Sequence, residues 1–324
     1  MRRGTPRALA GPALGLLLLV ACPDPEPTWS LLAEPFGQAV LLAAWSDGEE
    51  ALIVGGDLRG GAGALLRYDG RRLCAEPAPT EHPLWWIHGP RPGAWYAVGG
   101  HGTVLREVDG VRSREDLPTR ATLFGVWAEG ETVLAVGGDP LAGTGEVWER
   151  RDGTWAPLAL DLEGPLFKVW RDWIVGQGVT WRLEGDALVA YPPPGAPTLT
   201  TVRGRGPEDV WAVGGDHVLH WTGDGWSRVD APTGRPLQGV WTAPGEPVWI
   251  AGAFGLQGWG DQEGWEVSAP PVTGDSFHAV WPHGDELLFL GGDLFGTGGG
   301  HGTIGRWGPG ERRLEPEPCG GPRG

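Results

Sequence analysis

Leu237-Gln238-Gly239-Val240-Trp241, then Ala243-Pro244-Gly245-Glu246, then Val248-Trp249-Ile250-Ala251-Gly252 open one complete unit of this chain. Leu256 to Trp259, Asp261-Gln262-Glu263-Gly264 and Trp265-Glu266-Val267 finish it. The unit reads as four short strands rich in Val, Leu and Trp, separated by turns of Gly, Pro and Asp. Some stretches are apolar on both faces, as in a sheet covered from both sides. The same phrase recurs from about residue 40 to 307. Its anchoring glycines are Gly55, Gly99, Gly137, Gly176, Gly214, Gly252 and Gly291, spaced 44, 38, 39, 38, 38 and 39 residues apart. A period near 40 with four strands per unit indicates a β-propeller blade, whose faces are buried only against its neighbours. The expectation is therefore an all-β, seven-bladed β-propeller of four-stranded antiparallel blades.

The blades are placed at about 38–82, 83–121, 122–164, 165–197, 198–235, 236–274 and 275–320, with 321–324 as a tail. Their innermost strands are aligned on Ala44-Trp45, Trp85-Trp86, Val126-Trp127, Val169-Trp170, Val202-Arg203, Val240-Trp241 and Val280-Trp281. The Trp column reads as packing between blades. Arg203 interrupts it, and an arginine there either snorkels into the central channel or pairs with an acid. The ring also needs closing. Thr28-Trp29 lies 16 residues before Trp45, close to the 15 that separate Trp155 from Trp170 and Trp226 from Trp241, so residues 28–34 read as an outermost strand completing blade seven. The alternative closing segment is Arg312 to Glu315.

The N-terminus carries an address. Arg2, Arg3 and Arg7 precede the apolar stretch Leu14 to Val20, which is too short to span a bilayer and reads as a secretory signal over residues 1–21. It ends in Leu19-Val20-Ala21-Cys22, which resembles the signal box of bacterial lipoproteins. That resemblance implies cleavage before Cys22 and attachment of acyl chains such as palmitate to it. Several acyl chains exceed what stable anchoring needs. Residues 22–27 then form a stiff polar tether. The outermost strand would start on the face bearing the first-to-second-strand turns, so the lipid would hold that face toward the membrane and leave the opposite loops free. The expected location is the bacterial envelope, on the outer membrane in preference to the inner.

Net charge is −16, and the chain after residue 21 holds 22 basic and 41 acidic residues, or −19. Such a surface repels phosphate backbones, so nucleic acid is not an expected partner. The loops after the second strands begin Gly55-Gly56-Asp57, Gly137-Gly138-Asp139, Gly214-Gly215-Asp216 and Gly291-Gly292-Asp293, and three are extended. Asp57, Asp139 and Asp293, with His301, have the chemistry to take a hard cation or a hydroxyl-rich ligand. The competing reading is that each Asp accepts hydrogen bonds from its own turn. His217 and His220 face opposite sides of a strand and are poor co-ligands. No zinc spacing and no Cys-x-x-Cys occur, and Lys168, the one lysine, has no glycine-rich phosphate loop. No cofactor is expected. Cys74 and Cys319 fall in the first and seventh units, which adjoin in a closed ring. Two readings stand: separate thiols, or a bridge closing a loop that contributes on the order of 4–5 kcal/mol in the chain-entropy model.

Val210-Trp211-Ala212-Val213-Gly214-Gly215-Asp216-His217-Val218-Leu219-His220-Trp221, followed by Gly225-Trp226, resembles repeats of bacterial propeller lipoproteins similar to photosystem II assembly-factor-like and Asp-box (sialidase-type) propellers. Arg151-Asp152-Gly153-Thr154-Trp155 resembles an Asp-box, which is degenerate elsewhere, as at Gly223-Asp224-Gly225-Trp226. The resemblance covers nearly all of the chain after the signal and implies a fold, not an activity. A sialidase would need an arginine cluster, a tyrosine nucleophile and central acids. Tyr68, Tyr96 and Tyr191 are the only tyrosines, and none sits on an expected innermost strand. The expected function is a monomeric, non-enzymatic binding or assembly scaffold whose loop face takes a protein or glycan, with a glycan-active hydrolase or lyase as the alternative.

Overall fold

A computed structural model describes residues 26–77, 79–230, 234–293 and 300–320. The proposed signal and Cys22 lie outside the described residues, as do Leu294 to residue 299 of the last extended loop and the tail 321–324. The rest is a seven-bladed β-propeller. In the first six blades four strands form an antiparallel meander in sequence order from the channel outward; in the seventh the outermost strand comes from the N-terminal side of the chain. The innermost strands are Val40–Ser46, Leu84–Arg91, Thr122–Glu129, Leu166–Trp170, Thr201–Gly206, Leu237–Trp241 and Ser276–His283. Each packs against the next, and the seventh against the first, so the ring is closed.

The glycine repeat has a steric cause. Each anchoring glycine pairs with an apolar residue at the start of the innermost strand: Gly55 with Leu41, Gly99 with Leu84, Gly137 with Leu123, Gly176 with Leu166, Gly252 with Leu237 and Gly291 with Phe277. Gly214 lies against Leu199 in the same way. A Cβ added to any of the seven would fall well under 3.0 Å from a backbone carbonyl oxygen, that of Val40, Pro83, Thr122, Pro165, Thr198, Pro236 or Ser276. None of the seven needs a left-handed backbone. Glycine is required because another strand's backbone occupies the side-chain position.

One residue after each apolar partner, the register slips. In six blades the pairing skips a residue: Leu42, Trp85, Phe124, Phe167, Gln238 and His278. Thr200 follows Leu199 in blade five, where pairing resumes at Thr201 with Val213. A bulge of this kind re-aims its extra side chain.

The bulge also corrects the Trp column. Trp45, Trp127, Trp170, Arg203, Trp241 and Trp281 occupy equivalent positions, opposite Leu52, Leu134, Trp173, Trp211, Trp249 and Leu288. In blade two the equivalent residue is His88, opposite Tyr96, and Trp86 lies two positions earlier, opposite Val98. The column therefore holds five tryptophans, one histidine and one arginine.

Blade seven consists of Ser276–His283, Glu286–Gly292, Gly302–Pro309 and the N-terminal strand Pro27–Phe36. Trp29 lies beside Trp307, with Phe289 and Trp249 edge-on to it. Arg312 to Glu315 forms no strand. The residues read as one block, 275–320, are divided. Glu317–Pro318 leaves blade seven and adds a fifth, parallel strand to the outer edge of blade one. A disulfide joins Cys74 to Cys319 there, with Cα atoms 5.0 Å apart. Buried Arg306 donates to Glu286, Tyr68 of blade one donates to the same carboxylate, and Arg312 donates to the Tyr68 hydroxyl. Blade seven and the segment that follows it are thus tied to the first blade by backbone, covalent and charged contacts.

Gly137→Ala and Gly291→Ala are each expected to cost about 1–3 kcal/mol in chemical denaturation through forced overlap. Gly225→Ala, where an added Cβ meets nothing within 4 Å, should stay within about 0.5 kcal/mol. Under denaturing, non-reducing conditions Cys74 and Cys319 should yield no titratable thiol. Reducing the bridge should lower stability by roughly 2–5 kcal/mol.

Candidate functional site

The bulge residues line a cavity of about 610 Å³ at one mouth of the central channel. Its wall is made by Trp85, Phe124, Phe167, Thr200, Gln238 and His278, one from each of six successive innermost strands, together with Lys168. Leu58 and Pro140, from the second-to-third-strand loops of blades one and three, place the cavity on the face that carries those loops. The aromatic residues form an arc. Trp85 meets Phe124 edge-to-face at 5.0 Å, and Phe124 meets Phe167 at 5.4 Å. His278 lies 6.2 Å from Trp85 across the first blade.

Lys168 is the polar centre of this cavity. It is 3% exposed, its Nζ donates to the Phe124 carbonyl at 2.8 Å, and the amine lies 4.2 Å from the centre of the Trp86 ring. Burial lowers its pKa to about 7, because removing an ammonium from water costs more than one carbonyl and one ring return. The His278 ring bonds the Leu42 carbonyl through Nδ1 at 2.7 Å. Burial first, and then the Lys168 charge, push that imidazole down to about 3. It is neutral at physiological pH, so Nδ1 carries the donated hydrogen and Nε2 is left as an acceptor. The single Thr200 hydroxyl hydrogen lies within reach of the Gln238 carbonyl at 2.9 Å and the Val213 carbonyl at 3.1 Å, which ties the rim between blades five and six. The Gln238 side-chain oxygen is buried without a protein partner.

Deeper in the channel lies Arg203. Its guanidinium stacks 4.5 Å from the Trp281 ring centre and 5.2 Å from that of Trp127, so it reaches toward blades three and seven from blade five. Of the two sequence readings it follows the channel one: among the described residues no carboxylate lies within ion-pair distance of it. Burial, then the Arg171 charge, weaken its hold on the proton, but it stays charged at neutral pH. His88 stacks on Trp127 at 3.9 Å and accepts the Ala128 N–H, and burial followed by the Arg203 charge keeps it neutral.

The loop residues singled out in the sequence sit elsewhere and are used locally. Asp57 accepts the Arg59 N–H, and Asp139 accepts the N–H groups of Leu141 and Ala142. His301 bonds Asp275 at 3.0 Å. Asp293 is the last described residue before its loop leaves the described part of the chain. Among the described residues, no three His, Cys, Asp or Glu side chains gather in a group able to hold a metal ion. The three tyrosines are engaged outside the channel, Tyr68 with Glu286, Tyr96 with Arg106 and Tyr191 with Glu184. Sequence reasoning missed Lys168 and the bulge column. The available signal was positional: the residue after each anchoring Leu or Phe varies in chemistry from Leu42 to His278 while the anchoring residue before it stays apolar.

No protein-family model matches the chain, and neither does any curated protein. The fold, however, is shared with solved propellers. YCF48 bound to D1 peptide superposes with a TM-score of 0.64 at 15% identity, over 89% of this chain and 100% of that one. YCF48 from Cyanidioschyzon merolae gives 0.62 at 17% identity, over 86% and 98%. The WD40 β-propeller domain of Doa1 gives 0.61 at 8% identity, over 86% and 97%.

The Lys168 environment has a pH signature. Its folded pKa of about 7 lies below the unfolded value near 10.4, so the unfolded chain binds the extra proton between those values. Stability should therefore rise with pH from about 7 to about 10, at up to roughly 1.4 kcal/mol per unit. Lys168→Met should remove that rise. Urea unfolding of both proteins at pH 7, 8.5 and 10 checks it.

Proposed function

We propose that this chain is a non-enzymatic binding scaffold of a bacterial envelope, held to the membrane by lipid on Cys22 and engaging a protein partner with its loop face. The observation that carries this reading is the cavity formed by the bulge residues. It is concave, mostly apolar with an aromatic arc, and furnished with a few convergent polar groups, as ligand sites are. Its surroundings on the loops add exposed apolar side chains: Leu141 is 99% exposed and Phe254 is 62% exposed. Phe254 holds a left-handed backbone with φ of 55°, a conformation that costs a bulky residue energy and that its second-to-third-strand loop maintains. Apolar residues displayed on a rigid scaffold are a feature of docking faces.

The polarity of the strands supports the anchoring half of the proposal. Pro27 pairs with Pro309, at the end of blade seven that also carries the His283–Glu286 turn. The described chain thus begins on the face opposite the cavity. Pro27 lies five Cα steps after Cys22, a reach of at most about 18 Å. A lipid at Cys22 would press the turn face to the membrane, here assigned to the outer membrane, and present the cavity away from it. The structural neighbour YCF48 is known bound to a D1 peptide. A peptide-like partner at a propeller of this shape is consistent with our reading.

Two measurements test it. Radiolabelled palmitate should enter the wild-type protein and not Cys22→Ser, and the variant should move from the membrane to the soluble fraction. A photo-cross-linking amino acid placed at Leu141 or Phe254 in living cells should give discrete protein adducts, whereas one at Asp285 on the turn face should not. Adducts from Asp285 alone, or palmitate uptake that survives Cys22→Ser, would contradict the proposal.

A further inference from the structure

The channel has a charge opposite to that of the molecule. In a chain of net charge −16, the seven innermost strands contain a single acid, Glu129, at the exposed end of its strand. The same strands contribute Lys168 and Arg203 to the interior. Among the described residues, the cavity wall holds no carboxylate. Two cations without a counter-ion in a channel of tryptophan and phenylalanine are an unfavourable arrangement by themselves. Nothing in the folding of the blades requires a lysine here, since the equivalent positions hold Ala43, Trp86, Gly125, Thr201, Gly239 and Ala279.

Lys168 also has unused capacity. An ammonium has three donors, and among the described residues Nζ makes one hydrogen bond, to Phe124. The residue is almost wholly buried, yet it lines the cavity. The Gln238 amide on the same wall has an unpartnered end and can turn its N–H₂ inward with little change of shape. Trp85, Phe124 and Phe167 supply an apolar wall of aromatic faces and edges beside these polar groups.

We infer that the cavity binds a carboxylate carried on an apolar body, with the carboxylate paired to the Lys168 ammonium and the body lying along Trp85, Phe124 and Phe167. This deepens the scaffold reading, on which it rests for the accessibility of the loop face. The carboxylate can come from a free apolar acid or from the C-terminal residue of a partner chain. Both sources offer the same chemistry to Lys168. The charged and titratable groups around the amine come from several blades: His278 from blade seven on the cavity wall, and Arg203 from blade five and His88 from blade two deeper in the channel. With both histidines neutral, the amine is the group in the cavity whose charge changes near pH 7.

The test is calorimetric, on the full-length mature protein. The probes are 6-phenylhexanoate and its primary amide, and an acetylated Leu-Leu-Phe tripeptide with a free or an amidated end. At pH 6 the acids should bind at least tenfold more tightly than their amides. The preference should shrink toward parity by pH 9, because above its free pKa the amine must take up a proton to pair. Lys168→Met should bind acid and amide alike. Should that variant fail to fold, the acid-to-amide ratio and its pH profile in the wild type decide the matter. Binding by phenylhexanoate alone supports the inference with a free acid as the source, and binding by the tripeptide acid supports it with a chain end. Acid and amide within twofold on the wild type at pH 6, or an acid preference that persists in Lys168→Met, overturns it. Protein adducts at Leu141 without any acid preference would sink this inference and leave the scaffold reading standing. Acid preference with no protein adduct would do the reverse.

Discussion

Seven times around the ring, a backbone carbonyl occupies the space where a side chain would begin, and only glycine can stand opposite it. The contact joins the second strand of each blade to the first residues of the innermost strand. It draws the two backbones together just before the register slips. The slip releases one residue from pairing in six blades, and in blades two, three, four, six and seven that residue lines the channel mouth. The periodicity of the sequence, the closure of the ring and the lining of the cavity therefore share one steric origin. The large apolar side chains then fill what remains between blades, as Trp173 does against Trp221 and Trp226.

The repeat made the blade count and the strand order legible, because glycine spacing and turn residues report on backbone geometry that every blade must satisfy. Register was less legible. Aligning Trp86 with Trp127 followed composition, whereas the bulge places His88 there. A bulge adds one residue without any residue type that announces it. The extended loops drew attention because they carry Asp, but Asp57 and Asp139 are consumed by their own turns. Lys168 was visible only as the lone lysine. Its meaning depends on which side of the strand faces the channel, and alternation cannot supply that across an irregular pair. The passage of the chain end from blade seven to blade one, sealed at Cys319, is likewise a tertiary fact: a two-residue parallel strand has no sequence pattern of its own.

Charge is distributed by depth. Most ion pairs lie around the outside, between neighbouring strands and blades, as with Arg112 bonding Glu76 and Glu107 and Arg150 bonding Glu115. Partly exposed pairs of this kind contribute little each to stability and chiefly keep an acidic surface ordered. The channel is different. Lys168 and Arg203 are held by rings and carbonyls rather than by carboxylates, and the two histidines near them are neutral. A cationic interior that opens on the face opposite the start of the N-terminal strand gives the molecule two unlike ends.

The account stands on the claim that the glycine contacts set the register that aims the bulge residues into the channel. A crystal structure of the Gly137→Ala protein tests it directly. It should show the second strand of blade three displaced from the Thr122 carbonyl and Phe124 withdrawn from the cavity wall, with the other six blades unchanged. If the added methyl is accommodated with the Thr122 contact, the slip at Phe124 and the cavity wall all intact, the glycines do not set the register and the account is wrong.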